Sequence, residues 1–383
     1  MSTNPTTLVL RPRIQRIDEC LRPTRAEIDL DAIAHNFQVV RDHVAPARVL
    51  AVVKADGYGH GVVPVALRLQ DEGVSGFGVA LAEEGIELRD AGVTADIVVL
   101  NGVYGSAHAD VLRAALTPVV YDLAQVRAFV AAAGSRAFGV HLKVDTGMGR
   151  LGVRADALDD FLKTLADHPT VRVDGVMTHL ASADHDDAFT AAQLDVFDAA
   201  VRRVRAAGHR PSVLHAANSA GALRIPRARY DLVRAGIALV GLPGAGDVDL
   251  PLRPAMRLRS EVIALRTIEP GEGVGYDQTF RADRPTRVAT VPLGYGDGLM
   301  RSNSNRGVAL IRGRRCSLIG NVSMDLTTFD VTDLPAVEVG DEAVLLGPQG
   351  SERIEATEVA RATGTIPYEV LCAISRRVPR FYT

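Results

Sequence analysis

Residues 49–100 read VLAVVKADGYGHGVVPVALRLQDEGVSGFGVALAEEGIELRDAGVTADIVVL, and their alternation decides the fold. Short runs rich in β-branched residues at 49–53, 76–80 and 97–100 are separated by amphipathic helical patterns at 61–72 and 82–91. A run that is apolar on both faces suits a strand covered on both sides, as a parallel sheet requires. The same texture continues along the chain. It predicts strands over 117–121, 139–144, 175–178, 213–216 and 232–240, and helices over 122–133, 156–167 and 187–207. Eight strands within roughly 200 residues, most of them feeding a helix, predict an α/β fold built as a closed (β/α)8 barrel of the TIM type. An open doubly wound sheet is the alternative arrangement.

Past residue 250 the texture changes. After the turn-rich stretch GLPGAGDVDLP at 241–251 come short runs at 260–266, 287–291, 308–311, 316–319 and 342–346, separated by Gly and Pro turns. One helical period falls at 356–363. The expected organisation is an N-terminal tail over 1–22, a barrel over 23–250 and a mostly β C-terminal domain over 251–383. Of 383 residues, 47% are hydrophobic and 23% charged, which suits a large core and excludes a disordered chain. A net charge of −3 argues against nucleic acid or an anionic membrane surface as partner. Cys20, Cys316 and Cys372 are too few and too scattered for a disulfide framework. The first twenty residues hold no secretory apolar core, and no run reaches the length of a membrane span. A cytoplasmic location is the expectation. His179, His185 and His215 lack metal-ligand spacing, so no metal is expected.

The unusual polar residues fall at the predicted strand ends. Lys54 closes the first strand, the stretch from Lys143 to Arg150 closes the fifth, and His179 closes the sixth. Asn218 and Ser219 follow the seventh, while Arg234 and Gly236 lie in the eighth segment. In such barrels chemistry sits at the C-terminal rim, with phosphate often held after strands seven and eight. Each residue also has a plain reading: a solvated strand-end lysine, a hydrogen-bonded histidine, a Ser219 N-cap, a hairpin turn at Gly-Tyr295-Gly-Asp-Gly. The chain contains only three lysines, Lys54, Lys143 and Lys163, against 40 arginines. Lys163 occupies an ordinary exposed helical position, whereas Lys54 adjoins Ala-Asp-Gly-Tyr58-Gly-His-Gly, where glycines permit close backbone approach to a ligand. A primary amine in that setting suits Schiff-base chemistry.

Seven segments taken together resemble the alanine racemases in order and spacing, over roughly residues 23 to 380. They are AVVKADGYGHG with Lys54, KVDTGMGRLG with Lys143 and Arg150, THLA with His179, HAANS with Asn218 and Ser219, VRAGI with Arg234, PLGYGDG with Tyr295, and VSMD with Met324 and Asp325. The resemblance implies pyridoxal 5'-phosphate bound to Lys54 and interconversion of L- and D-alanine, with D-alanine destined for peptidoglycan. It implies two bases: Lys54 on the face of the D-enantiomer, and Tyr295 of the partner subunit on the other, in a homodimer with shared sites. Tyr58, Ser219, Gly236 and Ile237 match phosphate-contacting positions, with Asn218 beside them. Arg234 matches the arginine facing the pyridine nitrogen, and His179 the histidine linking it towards the tyrosine. Arg150 matches the residue beside the cofactor's phenolic oxygen and the substrate carboxylate, and Lys143 a position carbamylated in some members. Met324 and Asp325 match the substrate-binding segment of the neighbouring chain.

This sequence departs from the family pattern at three places: Ser323 where a Cys is frequent, Val240 where a Tyr is common, and Arg376 where some members carry a tyrosine. A racemase of serine or of several small amino acids is the near alternative, because one methylene in a pocket is worth only about 1–3 kcal/mol of discrimination. A barrel-type decarboxylase would not need Tyr295. A single-barrel pyridoxal-phosphate carrier would not need a second domain.

Overall fold

The computed structural model describes residues 21–245 and 248–383. All but the last two residues of the expected tail, 1–22, therefore lie outside the described residues. The chain divides into two compact units, Asp29–Ala255 and a second that joins the residues up to Ile28 with Met256–Thr383.

In the first unit eight strands form the barrel: β1 (Arg48–Val52), β2 (Phe77–Val79), β3 (Ile97–Val99), β4 (Thr117–Val120), β5 (Phe138–Asp145), β6 (Val171–Met177), β7 (Val213–His215) and β8 (Leu232–Ala235). They pair in parallel in the order β8–β1–β2–β3–β4–β5–β6–β7. The ends of that order meet through backbone bonds from Asp231 N to the Leu214 carbonyl (3.1 Å) and from Arg234 N to the Ala217 carbonyl (3.0 Å). The Asp231 carboxylate adds a bond from Leu214 N at 2.8 Å. Phe77, Ile97, Val119, Leu142 and Val233 are fully buried on these strands. Burying each such side chain is worth about 1.5–3 kcal/mol, which stabilises strands covered on both faces. The open doubly wound sheet is not what forms.

The eighth segment, predicted as one strand over 232–240, is two elements. β8 ends at Ala235, and Ile237–Val240 forms a 3-10 turn. The turn is as buried as the strand, so apolar content alone does not separate them. Val240, one of the departures, packs in the core with 4% exposure.

In the second unit the strands run Arg314–Ser317, Val308–Ile311, Glu342–Gln349, Met256–Glu261, Arg25–Ile28 and Arg380–Tyr382 across one sheet. A three-stranded sheet holds Ala264–Ile268, Thr286–Val291 and Thr327–Asp330. The run predicted at 260–266 changes sheets: Val262 N bonds to the Asp341 carbonyl (2.8 Å) and Ile263 N to the Thr290 carbonyl (2.9 Å). The helix predicted at 356–363 forms as Ala356–Thr363.

One boundary moves. The barrel was expected to begin at 23, yet Arg25–Ile28 pairs antiparallel with Met256–Glu261 and parallel with Arg380–Tyr382. Its alternation explains this: Ala26 and Ile28 are fully buried, while Glu27 accepts from Arg257 (2.9 Å) and Arg259 (2.7 Å) on the other face. The barrel unit correspondingly extends to Ala255 rather than 250.

Candidate active site

Lys54 follows β1 and opens a turn of reversed hand. Ala55, Asp56, Gly57 and Tyr58 all have φ between 53° and 61°. Non-glycine residues resist this region by roughly 1–2 kcal/mol each, and strain of this kind persists where surrounding contacts over-determine it. Those contacts are present. Gly59 N bonds back to the Ala55 carbonyl (3.0 Å), and Val62 N to the Asp56 carboxylate (2.9 Å). From the helix Ala82–Asp90, Glu84 accepts Ala55 N at 2.7 Å, Ala80 N at 2.8 Å and Leu81 N at 3.1 Å. The peptide that carries Lys54 is thus tied to the end of β2 by one carboxylate.

The turn directs Tyr58 inward against β8. A Cβ added to Gly236 would lie 2.2 Å from the Tyr58 hydroxyl, so only glycine leaves room for the phenol. Ser219 was read as a possible helix N-cap, but Asn218 caps the helix Ser219–Arg224, its Oδ1 accepting Gly221 N at 2.9 Å. The Ser219 hydroxyl instead accepts Gly236 N at 3.0 Å and Ala238 N at 3.4 Å. Tyr58, Ser219, Gly236 and Ile237, predicted from distant segments, therefore share one buried corner of the barrel.

Arg234 lies in the barrel with 3% exposure. Its guanidinium donates to the carbonyls of Thr178 (2.9 Å), His215 (3.0 Å) and Ala216 (2.9 Å) and meets His179 Nδ1 at 3.1 Å and His215 Nδ1 at 3.2 Å. Burial lowers its pKa to about 10, and it stays charged at neutrality. Arginine carries no acceptor, so His215 receives at Nδ1 and carries its proton on Nε2. His215 Nε2 then donates to His141 Nδ1, 3.0 Å away. Burial lowers His141 to about 4 and pushes His179 and His215 well below the usual histidine range, with Arg234 adding repulsion. Gly175 makes room for this stack, because a Cβ there would sit 2.5 Å from the His141 ring.

Lys143 on β5 is 4% exposed, and its pKa falls to about 8 through burial and then repulsion from Arg234, Arg150 and Lys54. The same three cations and Lys143 depress His179. Lys54, Lys143, Arg150, His179 and Arg234, scattered through the sequence, therefore occupy one electrostatic neighbourhood. The loop presenting Arg150 is held by Asp145, whose carboxylate accepts Gly147 N (3.0 Å) and Gly149 N (3.1 Å). Gln193, from the helix Asp187–Ala206, ties loop to loop by bonding Thr146 Oγ1 (3.3 Å), the His179 carbonyl (3.2 Å) and Ala181 N (2.9 Å).

In the second unit Gly-Tyr295-Gly-Asp-Gly is a 3-10 turn, Tyr295–Asp297, rather than a hairpin. Tyr295 N bonds to the Ser323 carbonyl (3.0 Å) and Gly296 N to the Met324 carbonyl (2.9 Å), so the two predicted segments meet. Tyr295 and Met324 are 43% and 50% exposed. Ser323, a departure from the family pattern, closes its own turn by donating to the Leu326 carbonyl at 2.7 Å. Asp325 pairs with Arg377 at 2.7 Å, whereas Arg376 is exposed.

Glu84, Gln193, His141, Asp297 and Arg377 went unnoticed as site residues. Glu84 carried a legible signal, an acid three residues past a helix start. Asp297 carried the same signal, accepting Gly294 N three residues back, whereas Gln193, His141 and Arg377 act across longer separations and carried none.

A parallel barrel with a lysine, a cationic cluster and a glycine-floored hydroxyl corner at its strand ends, joined to a β-rich unit, defines a class of two-unit barrel enzymes. Residues 28–243 match the family model of the alanine racemase N-terminal domain and residues 255–382 that of the C-terminal domain; the chain belongs to the alanine racemase family. It is 49% identical over 376 residues to the alanine racemase of Sorangium cellulosum, covering 94% of this chain and 99% of that one. It is 45% identical to that of Symbiobacterium thermophilum, covering 94% and 97%. Among solved structures, the alanine racemase of D-cycloserine-producing Streptomyces lavendulae superposes with a TM-score of 0.90 at 34% identity, covering 95% of this chain and 98% of that one. That of Bacillus anthracis with bound L-Ala-P superposes with a TM-score of 0.89 at 34% identity, covering 95% and 96%.

Proposed function

We propose that this chain interconverts L- and D-alanine with pyridoxal 5'-phosphate held by the amine of Lys54. One observation carries the reading: the chain brings Lys54, Lys143, Arg150 and Arg234 into one electrostatic neighbourhood. The donor set fits the group. The corner formed by Tyr58, Ser219, Gly236 and Ile237 suits a phosphate, which accepts from hydroxyls and amides, and a side chain at Gly236 would fill it. Lys54, Lys143, Arg150 and Arg234 supply positive charge for an anionic ligand. When bound, the cofactor supplies an electron sink for the charge left by removal of an α-proton.

The chain's own residues handle the protons. Lys54 Nζ takes or delivers the α-proton on the face of the D-enantiomer. Tyr295 Oη of the partner subunit does so on the face of the L-enantiomer, in a homodimer with shared sites. Two groups on opposite faces are the simplest way to invert a centre. Arg150 holds the substrate carboxylate, with Met324 and Asp325 of the partner subunit bordering the substrate. Arg234 donates and accepts nothing, so it keeps the pyridine nitrogen unprotonated and restrains the sink. Lys143, with its depressed pKa, is the amine that reacts with carbon dioxide to give a carbamate and a proton, setting a carboxylate beside Arg150. Among the described residues no helix is long and apolar enough to cross a membrane; we assign the enzyme to the cytoplasm, supplying D-alanine for peptidoglycan.

The test is a chiral assay of purified protein with pyridoxal phosphate against L-alanine, L-serine and larger amino acids. Equilibration of alanine well ahead of serine supports the reading; equal rates point to a broader racemase, and cofactor binding without turnover overturns it.

A further inference from the structure

The Tyr295 turn is held from below by a residue to which no role has so far been given. Asp297, two residues after Tyr295, has a side chain with no exposed surface, although it is a carboxylate. Its Oδ2 accepts Gly294 N at 3.1 Å, which closes the turn. Its Oδ1 faces two guanidinium groups, Arg22 at 2.8 Å and Arg377 at 3.3 Å. Arg377 extends further, with Nη2 2.7 Å from Asp325 Oδ1. Its Nη1 would be 2.5 Å from a Cβ at Gly296, so the side chain lies against the backbone of the turn. The neighbouring Ser375 fastens the same backbone: its N donates to the Asp297 carbonyl (2.9 Å) and its Oγ to the Gly296 carbonyl (2.9 Å).

One arginine therefore bridges a carboxylate in the Tyr295 turn to a carboxylate in the Met324 turn. The backbone bonds between these turns fix their spacing, but each is a single bond that permits rotation. The planar guanidinium, with Nε toward Asp297 and Nη2 toward Asp325, removes that freedom in a way a lysine's single ammonium does not. Arg22 independently neutralises Asp297, so loss of Arg377 leaves no isolated charge buried in the fold.

We propose that Arg377 is a positioning residue for the second proton-transfer group: by clamping Asp297 to Asp325 it sets the direction of the Tyr295 hydroxyl and its distance from Met324. The proposal rests on the reading of Tyr295 as the base on the face of the L-enantiomer.

The experiment uses holoenzyme in deuterated water and follows two rates from D-alanine, deuterium entry at Cα with retained configuration and conversion to L-alanine. Lys54 serves the first alone; the second also needs Tyr295. Arg377→Ala is expected to keep the first within a few-fold and to lower the second by up to about 100-fold, the scale of a misplacement near 1 Å. Arg377→Lys should fall between, and Asp325→Asn, which opens only the outer arm, should uncouple the two rates more weakly. Thermal denaturation and the cofactor's visible spectrum report whether each variant is folded and loaded. Tyr295→Phe runs in parallel. If Tyr295→Phe uncouples the rates and Arg377→Ala lowers both together or neither, the proposal is overturned while the reading of Tyr295 stands. If Tyr295→Phe leaves the rates coupled, the reading of Tyr295 fails and the proposal with it.

Discussion

Lys143 offers a test in which charge, burial and chemistry make separable demands. The residue is 4% exposed among like charges, and the pKa of its amine is lowered to about 8 from the ordinary 10.5. At pH 7 the neutral, nucleophilic fraction is then about 9% instead of about 0.03%, roughly 300-fold more amine able to capture carbon dioxide. The same displacement is a stability cost. The unfolded chain binds more protons than the folded one between pH 8 and 10.5, so stability rises with pH across that window. Below it the charged amine costs about 3 kcal/mol, since one unit is worth about 1.4 kcal/mol. Lys143→Met removes that cost, so cofactor-free protein in carbon dioxide-free buffer should gain up to about 3 kcal/mol at pH 7 and nothing by pH 10.5. Denaturant unfolding at both pH values measures it. Bicarbonate should then stabilise the parent protein, and not Lys143→Met, because a carbamate turns a repelled cation into a partner for Arg150 and Arg234. Labelled bicarbonate read by carbon NMR should show one carbamate in the parent and none in the variant. If Lys143→Met is less stable at pH 7, or its gain does not shrink with rising pH, the reasoning about charge is wrong. If the gain appears but no label enters, carbamylation alone is refuted.

Other outcomes follow from the same geometry. Gly236→Ala forces a methyl onto the Tyr58 hydroxyl; at about 1–3 kcal/mol for overpacking, cofactor affinity should fall roughly 5- to 150-fold, read by spectroscopic titration. Glu84→Ala strips the acceptor from three backbone amides around Lys54, and cofactor loading should slow with a loss of roughly 1–3 kcal/mol in stability, whereas Glu84→Gln should recover part of both. His141 is held neutral, lowered to about 4, so the unfolded state takes up its proton first as pH falls below 6.5. Its share of stability should drop by about 2 kcal/mol between pH 7 and pH 5, and His141→Asn should flatten that part of the denaturation profile. Arg234→Glu should raise transamination relative to racemisation, measured as pyruvate released per inversion; an unchanged ratio would show that the pyridine nitrogen is not restrained by this residue.

Much of this was legible in the sequence because it is local. A strand buried on both faces announces itself by a β-branched run, and a helix by its period, so all eight barrel strands and the helix Ala356–Thr363 were readable. Lys54 stood out because only three lysines exist, Ser219 because it follows strand seven and Gly236 because it lies in the eighth segment. Locality also explains the errors. The run 232–240 is apolar throughout, so nothing in composition marks the point where β8 gives way to a 3-10 turn. Asn218 and Ser219 are both good caps, and the choice between them was made by Gly236 and Ala238, whose amides claim the serine hydroxyl from another segment.

By itself, then, the sequence determined the succession of elements and singled out Lys54 as the candidate amine, since both depend on residues that are neighbours along the chain. Only the tertiary structure decided which groups act on one another. Barrel closure lines up Arg234, His215 and His141 in a hydrogen-bonded row, and it crowds four cations until the pKa of Lys143 falls to about 8. In the second unit the sheet brings Arg25–Ile28 home and folding sets Arg377 between Asp297 and Asp325. The physical reason is common to all of them: a pKa, a tautomer or a clamp is a property of separation in space, and side chains far apart in sequence acquire a separation only when the chain has folded.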